Sequence, residues 1–168
     1  MTMIRIAAES DIPRIEQIFE GARAQMAAQG NATQWVNSYP GREDILRDMK
    51  DGACHVMQDE SGHIYGVFSV FTTPDPTYPG IYDGAWLNDR PYATIHRIAS
   101  DYSHRGVLKE AVEYCLSFTG EVRIDTHRNN LPMINGLTRL GFTPCGKIRL
   151  FRDGDNERLA FQKSAQRD

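Results

Sequence analysis

Hydrophobic residues recur along the chain at two spacings, the first typical of helices and the second of strands. Near the start, apolar residues three or four positions apart predict an amphipathic helix, whose buried face is formed by Ile12, Ile15, Ile18, Phe19, Ala22 and Met26. Ser10 or Asp11 is expected to cap this helix, with Pro13 in its first turn. A shorter helix is predicted over Arg42–Lys50 and is expected to end at Gly52.

Short apolar runs between turn-forming residues predict the strands. They cover Met3–Ala7, Ala53–Gln58, His63–Thr72, Tyr92–Ser100, Glu121–Thr126, Thr143–Arg152 and Glu157–Lys163. Two more helices are predicted, the first over Val107–Phe118 and the second from Asn130 to Leu140. No internal repeat or linker interrupts this order, which indicates a single domain over residues 1–168.

The longest segment without a predicted element is Thr73–Pro91, which is rich in proline and contains two glycines. A loop of this length in a compact domain is ordinarily either functional or disordered. Its aromatic residues Tyr78, Tyr82 and Trp86 favour a loop that packs onto the domain.

Composition narrows the classes of function. The formal net charge is −3 and the sequence pI is near 5.9, which argues against a nucleic-acid partner, because such proteins carry basic stripes. No apolar run is long enough for a membrane span, and the N-terminus lacks the apolar stretch of a signal peptide, so we expect a cytoplasmic protein without a membrane partner. The three cysteines show no metal-ligand spacing, which predicts reduced, buried thiols and no metal site.

The segment from Tyr92 to Phe142 carries the pattern most specific to a function. A hydrophobic strand runs into the polar turn DYSHRG; a helix, a second strand and a helix that begins at an asparagine and ends in Gly-Phe follow. Glycine at such a turn lets the backbone approach a phosphate, and the helix N-terminus behind it supplies unpaired N–H groups. This order indicates an anion-binding turn beside a cleft between two strands.

In this order and spacing the segment resembles the core of the GNAT superfamily of N-acetyltransferases, which transfer an acyl group from coenzyme A to an amine. The order of elements matches that superfamily over essentially the whole chain. The resemblance implies the α/β (α+β) GNAT acyl-CoA N-acyltransferase fold, a mixed, mostly antiparallel sheet of roughly six to seven strands flanked by about four helices. It also implies acetyl-CoA as the co-substrate.

The resemblance places the pyrophosphate of coenzyme A at the turn that ends in Leu108. The superfamily pattern there is Gln or Arg, two residues, Gly, one residue, and Gly or Ala; Gly106 fits it, whereas Ser103 replaces the first position and Leu108 the last. The expected cofactor-binding residues are Ile98, Ala99, Ser103, His104, Arg105, Gly106, Val107, Leu108, Lys109 and Asn130. A backbone N–H near Ile98 or Ala99 is expected to hold the developing oxyanion. The alternative for this turn is an ordinary connection between a strand and a helix.

Asn130 has two interpretations. In the superfamily, an asparagine at this position commonly binds the pantetheine arm or the phosphates. Alternatively, Asn129 or Asn130 caps the helix that follows, with Pro132 in its first turn. The two roles are compatible with each other.

The residue that protonates the leaving thiolate departs from the family pattern. Many members place a tyrosine four residues before the closing Gly-Phe, and here that residue is Leu137. A thiol with a pKa of about 8.5 leaves reasonably well unaided. Tyr102 and Tyr114 are the other candidates, and nothing in the spacing selects either.

An amine acceptor must lose a proton before it attacks the thioester. At pH 7 this costs roughly 4–5 kcal/mol for an alkyl amine and about 1 kcal/mol for an α-amino group. The candidate catalytic bases are His96 on the first core strand and Asp125 and His127 at the end of the second. Regular alternation places Thr94, His96 and Ile98 on the same face. Each candidate has a structural alternative, such as a hydrogen bond across the sheet or a helix cap.

Aromatic residues near the expected acceptor side predict a pocket for a cationic amine. Trp35, Tyr39, Tyr82 and Trp86 are the candidate substrate-binding residues, because aromatic walls and nearby carboxylates suit a cation. The alternative is that these rings only pack their loops onto the domain. The combination of these residues with the IHRIA strand resembles a subgroup of uncharacterised bacterial GNAT proteins, which implies no particular substrate.

Two functions from different classes follow from the sequence. The first is an acetyl-CoA-dependent N-acetyltransferase that acts on a small-molecule amine or a peptide N-terminus. The second is a degenerate GNAT domain that binds an acyl-CoA or another ligand without catalysis, a reading that rests on Leu108 and Leu137. A homodimer is compatible with the terminal hairpin, which is expected to leave a sheet edge.

Overall fold

The computed structural model describes residues 2–166 and confirms the predicted order of elements. The strands in chain order are β1 (Met3–Ile6), β2 (Cys54–Gln58), β3 (Ile64–Phe71), β4 (Ala93–Ser100), β5 (Glu121–Thr126), β6 (Thr143–Arg149) and β7 (Glu157–Ser164). The helices are α1 (Ile12–Ala28), α2 (Arg42–Lys50), α3 (Val107–Thr119) and α4 (Leu131–Arg139). Two single turns of 3₁₀ helix, Glu9–Asp11 and Tyr78–Gly80, supplement them.

The strands form a seven-stranded sheet in the order β1-β2-β3-β4-β5-β7-β6. The pairs β1–β2, β2–β3, β5–β7 and β6–β7 are antiparallel. β4 and β5 are parallel, and their register covers the pairs Ala93–Val122 and Thr94–Arg123. The expected mixed, mostly antiparallel sheet with four helices is confirmed.

The chain divides into two compact units. The first comprises the chain up to Val70 together with His96–Val107, and the second comprises Phe71–Ile95 together with the chain from Leu108 onward. The single domain over the whole chain stays a prediction.

In the first unit, the apolar stripe of α1 is buried as the periodicity predicts. Ile12, Ile15, Ile18, Phe19 and Ala22 are all buried and join one core cluster with residues of β2 and β3. Each fully buried aliphatic side chain in such a cluster contributes about 1.5–3 kcal/mol through the hydrophobic effect.

The start of α1 differs from the prediction. The helix begins at Ile12, after the turn Glu9–Asp11, and the Asp11 side chain does not cap it. Instead, Asp11 Oδ2 accepts hydrogen bonds from Arg5 Nη1 and from the Ala8 N–H, both at 2.7 Å. The expected cap is therefore wrong, because Arg5 and the preceding turn compete successfully for the carboxylate.

In the second unit, the loop Thr73–Pro91 is packed, as its aromatic residues predict. Tyr78 is fully buried in a cluster with Ile148 and Ala160, and Trp86 packs against that cluster. The loop also reaches the outer strand β6, where Tyr82 and Lys147 exchange two backbone hydrogen bonds of 2.9 Å. This bridge covers part of the sheet edge at β6 through which the predicted homodimer would form. The homodimer stays a prediction.

Two glycines allow this close approach of the loop to β6. A Cβ on Gly84, which has a φ of +156°, would lie 1.9 Å from the carbonyl oxygen of Cys145. A Cβ on Gly146 would lie 2.6 Å from the carbonyl oxygen of Tyr82. Because both obstacles are backbone atoms, side chains at either position would push the loop away from the strand.

The cysteines are buried, as predicted. Cys54, Cys115 and Cys145 are all buried and free, and burial raises the pKa of Cys54 and of Cys115 to about 12, which keeps both as thiols. Over residues 2–166, no helix is long and apolar enough to cross a membrane. Within the same range, His, Cys, Asp and Glu side chains form no group of three or more suited to a metal.

Candidate active site

The strand β4 is irregular at its centre. Arg97 has a φ of +51°, the left-handed conformation, which costs a residue with a side chain about 1–2 kcal/mol. The regular alternation expected along this strand is therefore wrong beyond His96, because one left-handed residue breaks the period of two. His96 and Ile98 are partly buried, and Ala99 is buried.

The side chain of Arg97 is held by a buried carboxylate. Its Nε and Nη2 donate to the two oxygens of Asp48 at 2.6 and 2.8 Å, and its Nη1 donates to Tyr39 Oη at 3.0 Å. Asp48 is 3% exposed and also accepts a hydrogen bond of 2.7 Å from Ser69 Oγ. Burial alone would lower the pKa of Arg97, but the hydrogen bonds to Asp48 raise it above its ordinary value.

Asp101 organises the turn that follows β4. One carboxylate oxygen accepts from the backbone N–H of Ser103 at 2.9 Å, and the other accepts from Arg14 at 2.6 Å and lies 2.7 Å from His63 Nε2. Burial would raise the pKa of Asp101, but the hydrogen bonds from Ser103 and His63 outweigh it and lower the pKa. The turn is thus tied to α1 and to the start of β3 through one side chain.

His104 has a defined place in this turn. Its ring stacks on Tyr65 with 3.9 Å between the ring centroids, and its Nε2 lies 3.4 Å from Asp59 Oδ2. Ser103 Oγ lies 2.9 Å from His104 Nδ1. Of the predicted turn residues, the structure therefore brings Ser103 and His104 together, whereas Arg105 is exposed.

Gly106 lies in the turn directly before α3. Its φ is +80°, and within residues 2–166 no heavy atom other than those of its chain neighbours lies within 4 Å of the position that a Cβ would take. α3 begins at Val107 and runs for 13 residues. Lys109 is exposed on α3 and lies 3.9 Å from Glu113.

Leu108 packs against α4. Its Cδ2 lies 3.0 Å from the position that a Cβ would take on Gly136, in the middle of that helix. Glycine inside a helix ordinarily costs about 1 kcal/mol relative to alanine. Here it leaves room for the leucine that replaces the small residue of the family pattern.

Asn130 is the cap of α4. Its side-chain oxygen accepts a hydrogen bond of 3.3 Å from the N–H of Met133, and Pro132 lies in the first turn of the helix. The capping interpretation is confirmed, and a contact with pantetheine or phosphate stays a prediction.

Asp125 is held by a buried tyrosine. Tyr78 Oη donates to Asp125 Oδ2 at 2.8 Å, and Asp125 itself is partly buried near the end of β5. Burial, followed by the charge of Asp125, raises the pKa of Tyr78 well above its ordinary value, so the phenol keeps its proton. Asp125 is therefore a fixed carboxylate.

His127 lies directly after β5 and is fully buried. Its Nδ1 accepts a hydrogen bond of 3.0 Å from the N–H of Asn129, and its Nε2 lies 2.6 Å from Asp155 Oδ2. The two contacts fix one tautomer, in which Nε2 carries the proton. Both ring nitrogens are thus engaged with the protein.

Three aromatic rings of the second unit, those of Trp86, Tyr92 and Tyr82, contact arginine side chains of the protein itself. The guanidinium of Arg123 lies 4.3 Å from the ring centroid of Trp86 and 4.1 Å from that of Tyr92, and burial lowers its pKa. Arg149 lies 4.9 Å from the ring of Tyr82, whose hydroxyl donates to Glu157 at 2.5 Å.

In the first unit, Trp35 makes edge contacts with Phe19 and with Tyr39, at centroid distances of 5.7 and 6.5 Å. Trp35 is only partly buried. The structure thus brings two of the predicted acceptor-binding residues, Trp35 and Tyr39, together beside Arg97.

The position at which many GNAT members carry a tyrosine acid is occupied here by a core residue. Leu137 is fully buried in α4. Tyr102 is 61% exposed and has a φ of +65°, and Tyr114 makes an edge contact with Phe118 on α3. The contacts that each of these side chains makes within its own unit do not identify any of them as the acid.

Sequence reasoning missed three residues that shape these surroundings: Asp48, Arg97 and Arg123. Two of them left a signal. Asp48 follows Ile45 by three positions, which places it on the buried face of α2, and a charge on such a face requires a partner. Arg97 lies inside a strand that also contains Ile95, Ile98 and Ala99, where the same argument applies. Arg123 left no comparable signal.

Comparisons with known proteins complete the assignment. A scan against protein-family models found no match, and a search of curated proteins found no similar sequence. Among solved structures, a GNAT-family acetyltransferase from Streptococcus agalactiae is 32% identical, with 99% of this chain and 96% of that chain covered and a TM-score of 0.87.

Two further solved structures share the fold at lower identity. A GNAT-family acetyltransferase from Listeria monocytogenes is 19% identical, with 97% of this chain and 94% of that chain covered and a TM-score of 0.71. A ribosomal-protein-alanine N-acetyltransferase from Brucella melitensis is 19% identical, with 96% and 99% covered and a TM-score of 0.59. At 32% identity over nearly the full length of both chains, the first of these similarities shows that the chain belongs to the GNAT family of acetyltransferases.

Proposed function

We propose that this protein is an acetyl-CoA-dependent N-acetyltransferase that transfers the acetyl group to a primary amine by direct attack on the thioester. The observation that carries the proposal is the continuous segment His96–Val107. It joins an irregular strand, a turn organised by Asp101, and a left-handed glycine in open space before a helix. These are the parts that a thioester carbonyl and a pyrophosphate need.

The residues of this segment divide the work. The N–H groups at the start of α3, with Gly106 in front of them, hold the pyrophosphate. Ser103, His104, Arg105 and Lys109 add polar and charged groups around it. The backbone N–H groups of Ile98 and Ala99 receive the negative charge that develops on the thioester oxygen.

The acceptor amine must lose a proton before it attacks. We assign the general base to His96, which lies directly before the irregular residue of β4. His127 is less suited, since both of its ring nitrogens are engaged. Trp35 and Tyr39, which contact each other in the same unit as His96, are proposed to bind the acceptor amine. Arg149 already lies over the ring of Tyr82, and Arg123 lies over the ring of Trp86. The first role of these two aromatic residues is therefore to pack the loop, and binding of the acceptor comes second.

The acceptor is a small-molecule amine or a peptide N-terminus. An α-amino group needs the least help, since its deprotonation at pH 7 costs about 1 kcal/mol. The leaving thiolate needs no dedicated acid, because a thiol pKa of about 8.5 makes it a good leaving group. The protein is proposed to act in the cytoplasm.

Release of free thiol tests the proposal. The protein is incubated with acetyl-CoA and a panel of amines that includes free amino acids, short peptides and polyamines. We expect at least one amine to raise thiol release, and the His96→Ala variant to lower that rate by about a hundredfold or more. Added imidazole should restore part of the lost rate. The Leu46→Ala variant, at an exposed position on α2, serves as the control.

Two outcomes contradict the proposal in different ways. Acetyl-CoA binding without thiol release for any amine would favour the non-catalytic GNAT domain. An unchanged rate in His96→Ala would remove His96 from the role of base while leaving the transferase in place.

A further inference from the structure

We propose that the buried ion pair between Asp48 and Arg97 is a positioning device that holds β4 in its left-handed turn and thereby aims the N–H groups of Ile98 and Ala99 at the thioester carbonyl. The inference rests on the proposed function and deepens it. Neither charged side chain needs to touch acetyl-CoA, because both act through the backbone of β4.

The backbone of Arg97 needs an external cause. A left-handed conformation is unfavourable for a residue with a long side chain, and it persists only where the surroundings impose it. Among the left-handed non-glycine residues of the described range 2–166, Arg97 is the one that lies inside a strand. Its conformation decides the direction of the next N–H groups, which belong to Ile98 and Ala99.

The ion pair supplies that cause. Two nitrogens of the Arg97 guanidinium bind the two oxygens of Asp48 at 2.6 and 2.8 Å, which fixes both the position and the plane of the side chain. A third nitrogen donates to Tyr39 Oη at 3.0 Å. A side chain held at three nitrogens restrains the backbone from which it extends.

Asp48 is itself fixed from two directions. Ser69 Oγ on β3 donates to its Oδ2 at 2.7 Å, and the N–H of Ala53 donates to its carbonyl oxygen at 2.8 Å. Asp48 is 3% exposed. The pair therefore connects the end of α2 and the strand β3 to the central residue of β4.

Stability alone does not account for this arrangement. Replacing a buried ion pair by apolar side chains of similar volume is often neutral or stabilising, because both charges lose their water. The side chains of Arg97 and Asp48 are both charged, and only 14% of the first and 4% of the second are exposed. A requirement for one particular backbone geometry explains why charges occupy this place.

The experiment separates the backbone geometry from the ion pair. Two double variants both remove the pair: Asp48→Asn with Arg97→Gly, and Asp48→Asn with Arg97→Ala. Glycine adopts a φ of about +50° without strain, whereas alanine does not. Calorimetric titration gives the Kd of each variant for acetyl-CoA and for free coenzyme A. The two ligands differ only in the acetyl group, so the ratio of their Kd values reports the contact with the carbonyl.

We expect the wild type to bind acetyl-CoA more tightly than coenzyme A. In the glycine variant, the ratio of the two Kd values should stay within about twofold of the wild-type ratio. In the alanine variant, this preference for acetyl-CoA should fall roughly fivefold, the size of one lost hydrogen bond. Arg47→Gln serves as the control, because it breaks an exposed ion pair with Asp44 on the same helix. Its ratio should equal that of the wild type.

Equal ratios in the glycine and alanine variants would overturn the positioning role, as would a wild type that binds both ligands equally well. In both cases acetyl-CoA binding would leave the proposed function intact. A wild type that binds neither ligand would overturn both. If the alanine variant fails to fold, the single variant Asp48→Asn replaces it, and an unchanged ratio there contradicts the proposal.

Discussion

At the scale of single residues, Asp11 shows how the hydrogen bonds of one carboxylate affect its pKa. Its carboxylate accepts two hydrogen bonds from Arg5 and one from the N–H of Ala8. The hydrogen bond from Arg5 lowers the pKa of Asp11, and burial opposes this effect without cancelling it. The ionised carboxylate is therefore more stable in the folded chain than in the unfolded one.

This shift predicts a dependence of stability on pH. A lowered pKa in the folded state contributes stability above the ordinary pKa of about 3.9, and the contribution is lost as the pH falls through the folded-state pKa. We expect Asp11→Asn to reduce the free energy of unfolding by about 1 kcal/mol at pH 7. At about pH 3 the difference from the wild type should be smaller. Urea unfolding at both pH values checks this, and a difference that does not change with pH would contradict it.

At the scale of elements, the contact between α3 and α4 explains a departure from the family pattern. Leu108 replaces a small residue at the start of α3, and Gly136 in α4 provides the space for its side chain. The leucine is thus accommodated by a neighbouring helix.

A double-mutant cycle tests this contact. With Leu108→Ala in place, Gly136→Ala should stabilise the protein by about 1 kcal/mol, because alanine is the better helix former. In the wild-type background, the new Cβ of Gly136→Ala meets a methyl group of Leu108. The stabilisation there should be smaller than in the Leu108→Ala background by at least about 0.5 kcal/mol. Urea unfolding of the four proteins gives both values. Equal effects in the two backgrounds would show that the helices do not couple here.

The elements themselves could be predicted, because helices and strands leave local periodicities in the sequence. The order of eleven elements follows from those periodicities alone, and α3 and β5 begin where the glycines and polar residues indicate. The conformation of Arg97 could not be predicted. Its strand reads as a regular alternation, and the residue that holds it, Asp48, lies 49 positions earlier.

At the scale of the whole molecule, the sequence predicts the fold better than the chemistry. The turn before α3 and the cap Asn130 carry recognisable residues, so both could be located in advance. The partners of the candidate catalytic residues could not. Tyr78 reaches Asp125 across 47 positions, and Asp155 reaches His127 across 28, and such contacts leave no spacing to recognise. Only the folded chain shows that Tyr78 holds Asp125 and that both ring nitrogens of His127 are engaged.

Binding of acetyl-CoA tests the account most directly, since every proposed step begins with the segment His96–Val107. The measurement is a calorimetric titration of the wild type and of a Gly106→Val variant with acetyl-CoA. Valine is strained at the φ of +80° found at Gly106, and its side chain would occupy the open space assigned to the phosphate. We predict a micromolar Kd for the wild type and a loss of at least about tenfold in the variant. A wild type that shows no binding at millimolar acetyl-CoA would contradict the account.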